Sequence, residues 1–578
     1  MNPRCSRSDE PRCLQAKTGI FAGADIIWRY TMKKRILALA LLLTLVSAQA
    51  LFAETPARGG ILKMTPSKQG VLPKNFNPFS PAALESAVGC IYETLIYFNN
   101  ADGTANPWLA ESWKWSSDLK EITFTIRPDI KFNDGSALSA DDVAFSAMLG
   151  KTNKALDMSG LWSEGLESVT ANGNKVSFKF ASVNVTTLEK FGGLFVVPKA
   201  VWSKVQDPLT WTGNDTPVGS GPFMLDPASF NEQAYKLVRN PIYWQKGADG
   251  KPLPYIDGIQ YISTTNEQIA FKLMNGEYDW AGYSLPNVDA YVAANPDNKY
   301  WFPEGNLVFL YMNNLKAPFD NPNVRKAFAA AISQKDITRK MSPSPVPADM
   351  TAVKKSFSAI AADGKAKYNI AYDKAKARKL LEGEGYKLNA KGLYEKNGKE
   401  LSFKLFVPTD WTDWIGAAET VASMLKDIGV EAVITQSAWP VPFQTSLETG
   451  DYDMAVSFIT TGTTPYYQFN RWLYSANYAG LGEKAKVFSN MRYKNADIDK
   501  NLEAYRSEPN AEKQKAYMSA IVSQFMKDTP CVPMFFNPTW FEYTTRNFVG
   551  WPSADDPYAW PSVIGMQKMP ILLAIHKK

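Results

Sequence analysis

The 578-residue chain holds a single histidine, His576, close to its C-terminus. A Ser-His-Asp or Cys-His nucleophile and a multi-histidine metal centre therefore have too few residues to work with. A Gly-rich phosphate cradle with its lysine, a Gly-x-Gly-x-x-Gly fingerprint and a nucleophile elbow are absent too. Carboxylates are plentiful, but nothing singles out one pair for two-carboxylate hydrolysis. These residues describe no enzyme and call for no cofactor or metal. What remains is recognition by contact, and the chain is rich in contact groups: 17 Trp, 26 Tyr and 31 Phe. Most must fill the interior. Some, however, fall just after expected strands, where binding loops lie. The candidate ligand-binding residues are Trp280, Tyr283, Trp411, Asp413, Trp414, Trp439, Tyr466, Trp472, Asn537 and Trp540. An indole face suits the apolar C–H face of a sugar ring. Asp410, Thr412, Gln436 and Thr539 beside them would serve its hydroxyls.

The elements that must position these residues alternate between helix and strand. Asn321 can cap a helix with Pro322 at its first position, and Val324, Ala327, Phe328, Ala331 and Ile332 give that helix one buried face. Val421, Met424, Leu425 and Ile428 form a second stripe that Gly429 stops, and Val430, Ala432 and Ile434 then alternate as a strand. Met518, Ile521, Val522 and Phe525 make a third helix, leading into the apolar run Val532 to Phe536. This order predicts an α/β architecture. Residues 341–367, rich in Pro, Ser and Ala, read as a long surface loop. One unit occurs twice: residues 273–281 (LMNGEYDWA) and 447–455 (LETGDYDMA) are each a helix end, a glycine, an acid, Tyr-Asp and a short strand. The repetition predicts two lobes built alike, with a ligand in the cleft at the carboxyl ends of their strands.

Charge and cysteine set the compartment. Residues 1–53 carry eight Lys/Arg and three Asp/Glu, so of the formal +6 only +1 belongs to the rest. Neither nucleic acid nor an anionic membrane is implied as a partner. Lys33-Lys34-Arg35, the apolar run Ile36 to Val46 and the small residues up to Ala53 have the layout of a secretory signal peptide starting at Met32. The run is too short to span a bilayer. Residues 1–53 are thus expected to be leader, and without a cysteine after the run no lipid anchor is expected. Cys90 and Cys531 remain, reading as buried free thiols, with a single bridge between them as the other possibility.

Several longer stretches carry a family resemblance: NPWLAESW at 106–113, FTIRPDIKFNDGSALSADDVAFS at 124–146, GSGPFML at 219–225, NPIYW at 240–244, PFDNPNVRKAFAAAI at 318–332, YDKAKARKLLEGEGY at 372–386 and GDYDMA at 450–455. In this order they resemble the family 5 extracellular solute-binding proteins of ABC importers, from Gly60 to Pro561. The resemblance implies a two-lobed periplasmic-binding-protein fold with a hinge and an extra subdomain inserted in the first lobe. Residues 54–99, 222–308 and 530–578 would form the first lobe's core, 100–221 the insertion and 309–529 the second lobe. It also implies a monomer in the periplasm or an equivalent extracytoplasmic space, which hands a small-molecule ligand to the membrane permease subunits of its transporter. Peptide-binding members carry an Asp after the second lobe's Gly-acid-aromatic-Asp strand, where residues 457–467 (SFITTGTTPYY) have none. The segments 411–414 and 536–561 resemble a branch associated with cellobiose-like β-linked oligosaccharides. An oligosaccharide is therefore the expected ligand, with an oligopeptide as the alternative.

Overall fold

In the computed structural model, residues 55–578 are described except for 68–69, 212–214, 284, 286, 342–344, 410 and 487–488. The expected leader lies outside the described residues. Ala57–Lys578 make up one compact unit.

Local signals place the helices. Asn321 accepts from the backbone N–H of Asn323, and Pro322 opens the helix Pro322–Ala331. The stripe through Val421 and Leu425 lies on the helix Thr412–Lys426, and Gly429 follows at φ +80°. The third stripe is the helix Ala511–Asp528, which leads into the strand Cys531–Pro538. The repeated unit is repeated in space as well. Gly276 and Gly450 both adopt left-handed backbone after a helix, and each unit enters a strand parallel to a central strand of its own sheet. Its Tyr and Asp have matching work. The hydroxyls of Tyr278 and Tyr452 donate to the carbonyls of Ile262 and Asn490. Asp279 and Asp453 accept from the backbone N–H groups of Lys63 and Lys404 on those central strands.

The first sheet has seven strands in the order Asn298–Tyr300, Glu542–Thr544, Trp280–Ala281, Ile61–Met64, Gly258–Ile262, Ala234–Arg239 and Phe223–Asn231. The second has six, ordered Val346–Pro347, Cys531–Pro538, Glu304–Met312, Met454–Ile459, Ser402–Pro408 and Glu431–Ser437. Each has its own apolar core, one of which runs from Leu307 to Phe536. This corrects the expected lobe boundaries. Residues 304–308 and 530–538 belong to the second lobe, because Glu304–Met312 and Cys531–Pro538 pair with each other inside its sheet. Cys90 is buried in the first core and Cys531 in the second, both as free thiols.

Within the expected insertion, a four-stranded antiparallel sheet spans Ala110–Trp115 to Lys175–Phe180. Buried Glu93 ties it to the first lobe, accepting from Trp108 Nε1 at 2.7 Å, the Tyr243 hydroxyl at 2.8 Å and Trp244 Nε1. Burial pushes this carboxyl up to about 7 against those donors. One local expectation changes. Residues 341–367 are no plain loop, since they contain Val346–Pro347, a 3-10 turn at Lys355–Ala361 and the helix Ala362–Tyr368. Small residues let that helix lie close to its neighbour: a Cβ on Gly364 would meet Met526 Sδ at 2.9 Å. His576 is held in order too, pairing through His576–Lys577 with Phe548–Val549.

Candidate ligand cleft

Both sheets end their parallel strands toward the place where the chain passes between them. In the second lobe, Ser402–Pro408, Glu431–Ser437 and Met454–Ile459 finish at one edge, where Pro408 pairs with Ser437. The same edge holds the start of Glu304–Met312 and the end of Cys531–Pro538, since Leu307 pairs with both Ile459 and Phe536. In the first lobe, Ile61–Met64, Gly258–Ile262 and Trp280–Ala281 finish where Tyr300 and Ala281 flank Glu542. Two short crossings, 301–303 and 539–541, join the edges and bond to each other. Trp301 N–H donates to the Phe541 carbonyl at 3.0 Å, and Thr539 N–H to the Pro303 carbonyl at 2.9 Å. Gly305 is needed beside them, because a Cβ there would meet the Asn537 carbonyl oxygen at 2.6 Å. This is a paired-strand hinge with a strand-end edge on either side.

Aromatic rings line the second lobe's edge. The rings of Trp411 and Trp414 lie 4.6 Å apart and those of Trp411 and Trp439 5.3 Å apart, and Phe458 closes the cluster against Trp414 and Trp439. Trp411 is half-buried and Trp439 is 37% exposed, so each keeps ring surface open. Trp439 follows the strand Glu431–Ser437, and Trp411 precedes the helix Thr412–Lys426. Exposed Asp413 accepts from its neighbour's N–H at the start of that helix. Tyr283, Asn537 and Trp540 are half-buried at the crossings and the first lobe's edge. Tyr283 donates to the Pro66 carbonyl, and Trp540 packs edge-on to Phe302. The aromatic-after-strand signal thus gathers Trp411, Trp414 and Trp439 at one edge, with Tyr283, Asn537 and Trp540 at or beside the hinge.

Three tryptophans need correction as direct ligand contacts. Trp280 lies in its strand rather than after it, fully buried against Phe541 and Trp551. Trp472 is fully buried among Phe309, Phe469 and Phe525. Trp414 is 1% exposed and supports Trp411 from below. A buried indole with aromatic neighbours offers no face to a ligand without unpacking the core. Tyr466 is buried as well, stacked on Tyr505 at 4.6 Å.

The lobes also touch away from the hinge, through residues that the aromatic criterion missed. Thr463 Oγ1 donates to Glu189 of the insertion at 2.6 Å, and Arg506 pairs with Glu164 at 3.5 Å. Lys354 lies 4.4 Å over the ring of Trp560, and its burial pushes the ammonium down to about 8, while Glu304 acts to raise it. No local pattern in the sequence marks Lys354, because its partners are distant in the chain.

Two lobes on a paired hinge, with the strand ends of both facing the junction, have the architecture of a two-lobed binding protein. The chain belongs to the bacterial extracellular solute-binding proteins of family 5: the model described as "Bacterial extracellular solute-binding proteins, family 5 Middle" matches residues 104–480. It is 26% identical over 382 residues to a nickel-binding periplasmic protein of Escherichia coli (strain K12), covering 62% of this chain and 69% of that protein. To the oligopeptide-binding protein OppA of Bacillus subtilis (strain 168) it is 25% identical over 567 residues, covering 91% of this chain and 99% of the relative. A periplasmic oligopeptide-binding protein of Thermotoga maritima shares the fold with a TM-score of 0.79 at 23% identity, over 90% of this chain and 99% of its own. A structure of that protein with mannohexaose bound superposes at a TM-score of 0.71 and 24% identity, over 90% and 98%. The chain is therefore a non-enzymatic solute-binding component of an ABC importer, working with a membrane permease. Among the described residues no helix is long and apolar enough to cross a membrane.

Proposed function

We propose that the ligand is a short β-linked oligosaccharide, cellobiose-like in shape, held between the lobes and released to the permease. The observation that carries this reading is the partly open indole pair Trp411–Trp439 at a strand-end edge whose next loop offers hydroxyls and no carboxylate. That loop follows Met454–Ile459. Thr461 donates to the Gly305 carbonyl, and the buried Thr460 hydroxyl has no hydrogen-bond partner. Hydroxyls at the same edge as an open indole pair suit a sugar, whereas the loop itself brings no carboxylate to a peptide's ammonium. A thermal-shift panel of the purified protein against di- to pentasaccharides and peptides tests this. A sugar at 100 times its dissociation constant is expected to add about 2.7 kcal/mol. Stabilisation by peptides alone would replace the sugar reading with the oligopeptide one.

We further propose that the mature protein is exported as an unlipidated monomer lacking residues 1–53. N-terminal sequencing of exported protein is expected to begin near Leu51 or Glu54. A mature chain retaining Met32 would overturn the leader.

A further inference from the structure

Beside Trp439, one ring of the stacking pair, lies a cavity of 510 Å³ in the second lobe. That is a volume in the range of small-molecule sites. Trp439 and Phe458 form an apolar wall. The other lining groups include three cations, Arg471, Lys484 and Lys486, and one carboxylate, Glu448. Glu448 is already engaged, since Lys484 Nζ lies 3.0 Å from one oxygen and Gln444 Nε2 donates to the other at 2.7 Å. The lining is therefore net positive, and exposed Lys486 has no ion-pair partner among the described residues. Asn490 also lines the cavity. It is 5% exposed, and its Oδ1 is buried with no hydrogen-bond partner. The cavity also reaches toward the other lobe. Arg471 and Lys486 line a second cavity of 450 Å³ whose far side is Glu164, Glu189 and Lys190 of the insertion.

An apolar aromatic wall and a cationic flank together describe a ring with a C–H face and a carboxylate. We infer that this pocket is a subsite for an acidic unit of the ligand, in a sugar a uronate: its face on Trp439 and its carboxylate toward Arg471 and Lys486. The inference rests on the oligosaccharide reading and narrows it to acidic or acid-terminated chains. The same carboxylate chemistry could come from a peptide's C-terminus, so the test separates the two sources.

Titration calorimetry on the whole purified protein would compare four probes: a neutral β-linked glucose oligosaccharide, its counterpart of equal length ending in glucuronate, a free-acid peptide and its C-terminal amide. The glucuronate probe is expected to bind at least about tenfold more tightly than the neutral sugar, as a charge-assisted contact should. That advantage should shrink in about 0.5 M salt, where the Debye length falls to a few ångströms. In Lys486→Gln, an exposed substitution, the acidic-to-neutral ratio should fall toward one. Equal affinities for the two sugars would overturn the acidic subsite and leave the sugar reading standing. A ratio unchanged in Lys486→Gln would overturn its assignment to this pocket. Binding of the peptides alone, with a free-acid preference lost in Lys486→Gln, would support the carboxylate pocket and sink the sugar reading.

Discussion

Trp411→Ala is expected to weaken ligand binding about 5- to 150-fold, the equivalent of losing a stacking face worth roughly 1–3 kcal/mol. Trp439→Ala should fall in the same range, because the two rings lie 5.3 Å apart and form one surface. The competing role is structural. Trp411 also touches Trp414, which is buried in the second lobe's core. If Trp411 only filled space, alanine would cost about 3–5 kcal/mol of fold stability and leave affinity alone. Calorimetry and melting on both variants separate these cases. Trp439, at 37% exposed, is the cleaner probe, since it is more exposed than Trp411. Retained affinity with a large drop in melting temperature in Trp411→Ala, together with an inert Trp439→Ala, would remove the stacking wall. Trp540→Ala extends the test to the crossing, where that ring packs only edge-on to Phe302 among the ring contacts seen.

What the sequence made legible, and what it hid, follows from the range of the interactions. The repeated Gly-acid-Tyr-Asp unit was readable because its work is local. A glycine turns the chain, Tyr and Asp bond nearby backbone, and a strand begins. The same repeat contained the answer for Trp280: it aligns with Met454, and both are the fully buried first residue of a strand. Trp472 follows the same logic, since Phe469, Trp472 and Leu473 share a helical face spaced for a core. The lobe boundary was harder. Residues 531–536 are buried throughout, and an apolar run of that kind does not say which sheet it joins. The interlobe contacts Thr463–Glu189 and Lys354–Trp560 were illegible, because only the folded chain brings such distant residues together.

Glu542 was hidden for a different reason, and its consequence is large. In the strand Glu542–Thr544 the alternation reads as apolar inward and polar outward. Phe541 and Tyr543 do pack inward with Trp551. The opposite face is covered too. Ala281, the partner of Glu542 across the sheet, belongs to a small core with Ile269, Leu273 and Tyr291. Glu542 is therefore fully buried, and neither carboxyl oxygen has a hydrogen-bond partner in another residue. An unpaired carboxylate there would be prohibitive, so burial pushes its pKa well above the ordinary value and the group is held neutral. The sign follows from proton counting. Between the unfolded and the raised folded pKa the native state binds the extra proton, so stability falls as pH rises, by about 1.4 kcal/mol per unit for this one group. Glu542→Gln keeps the shape and removes the titration. It is expected to flatten the decline in stability above about pH 5, so that the variant gains on the parent as pH rises. Denaturant unfolding of both proteins across that range measures it. A Gln variant whose stability declines with pH as steeply as the parent's would overturn the neutral assignment.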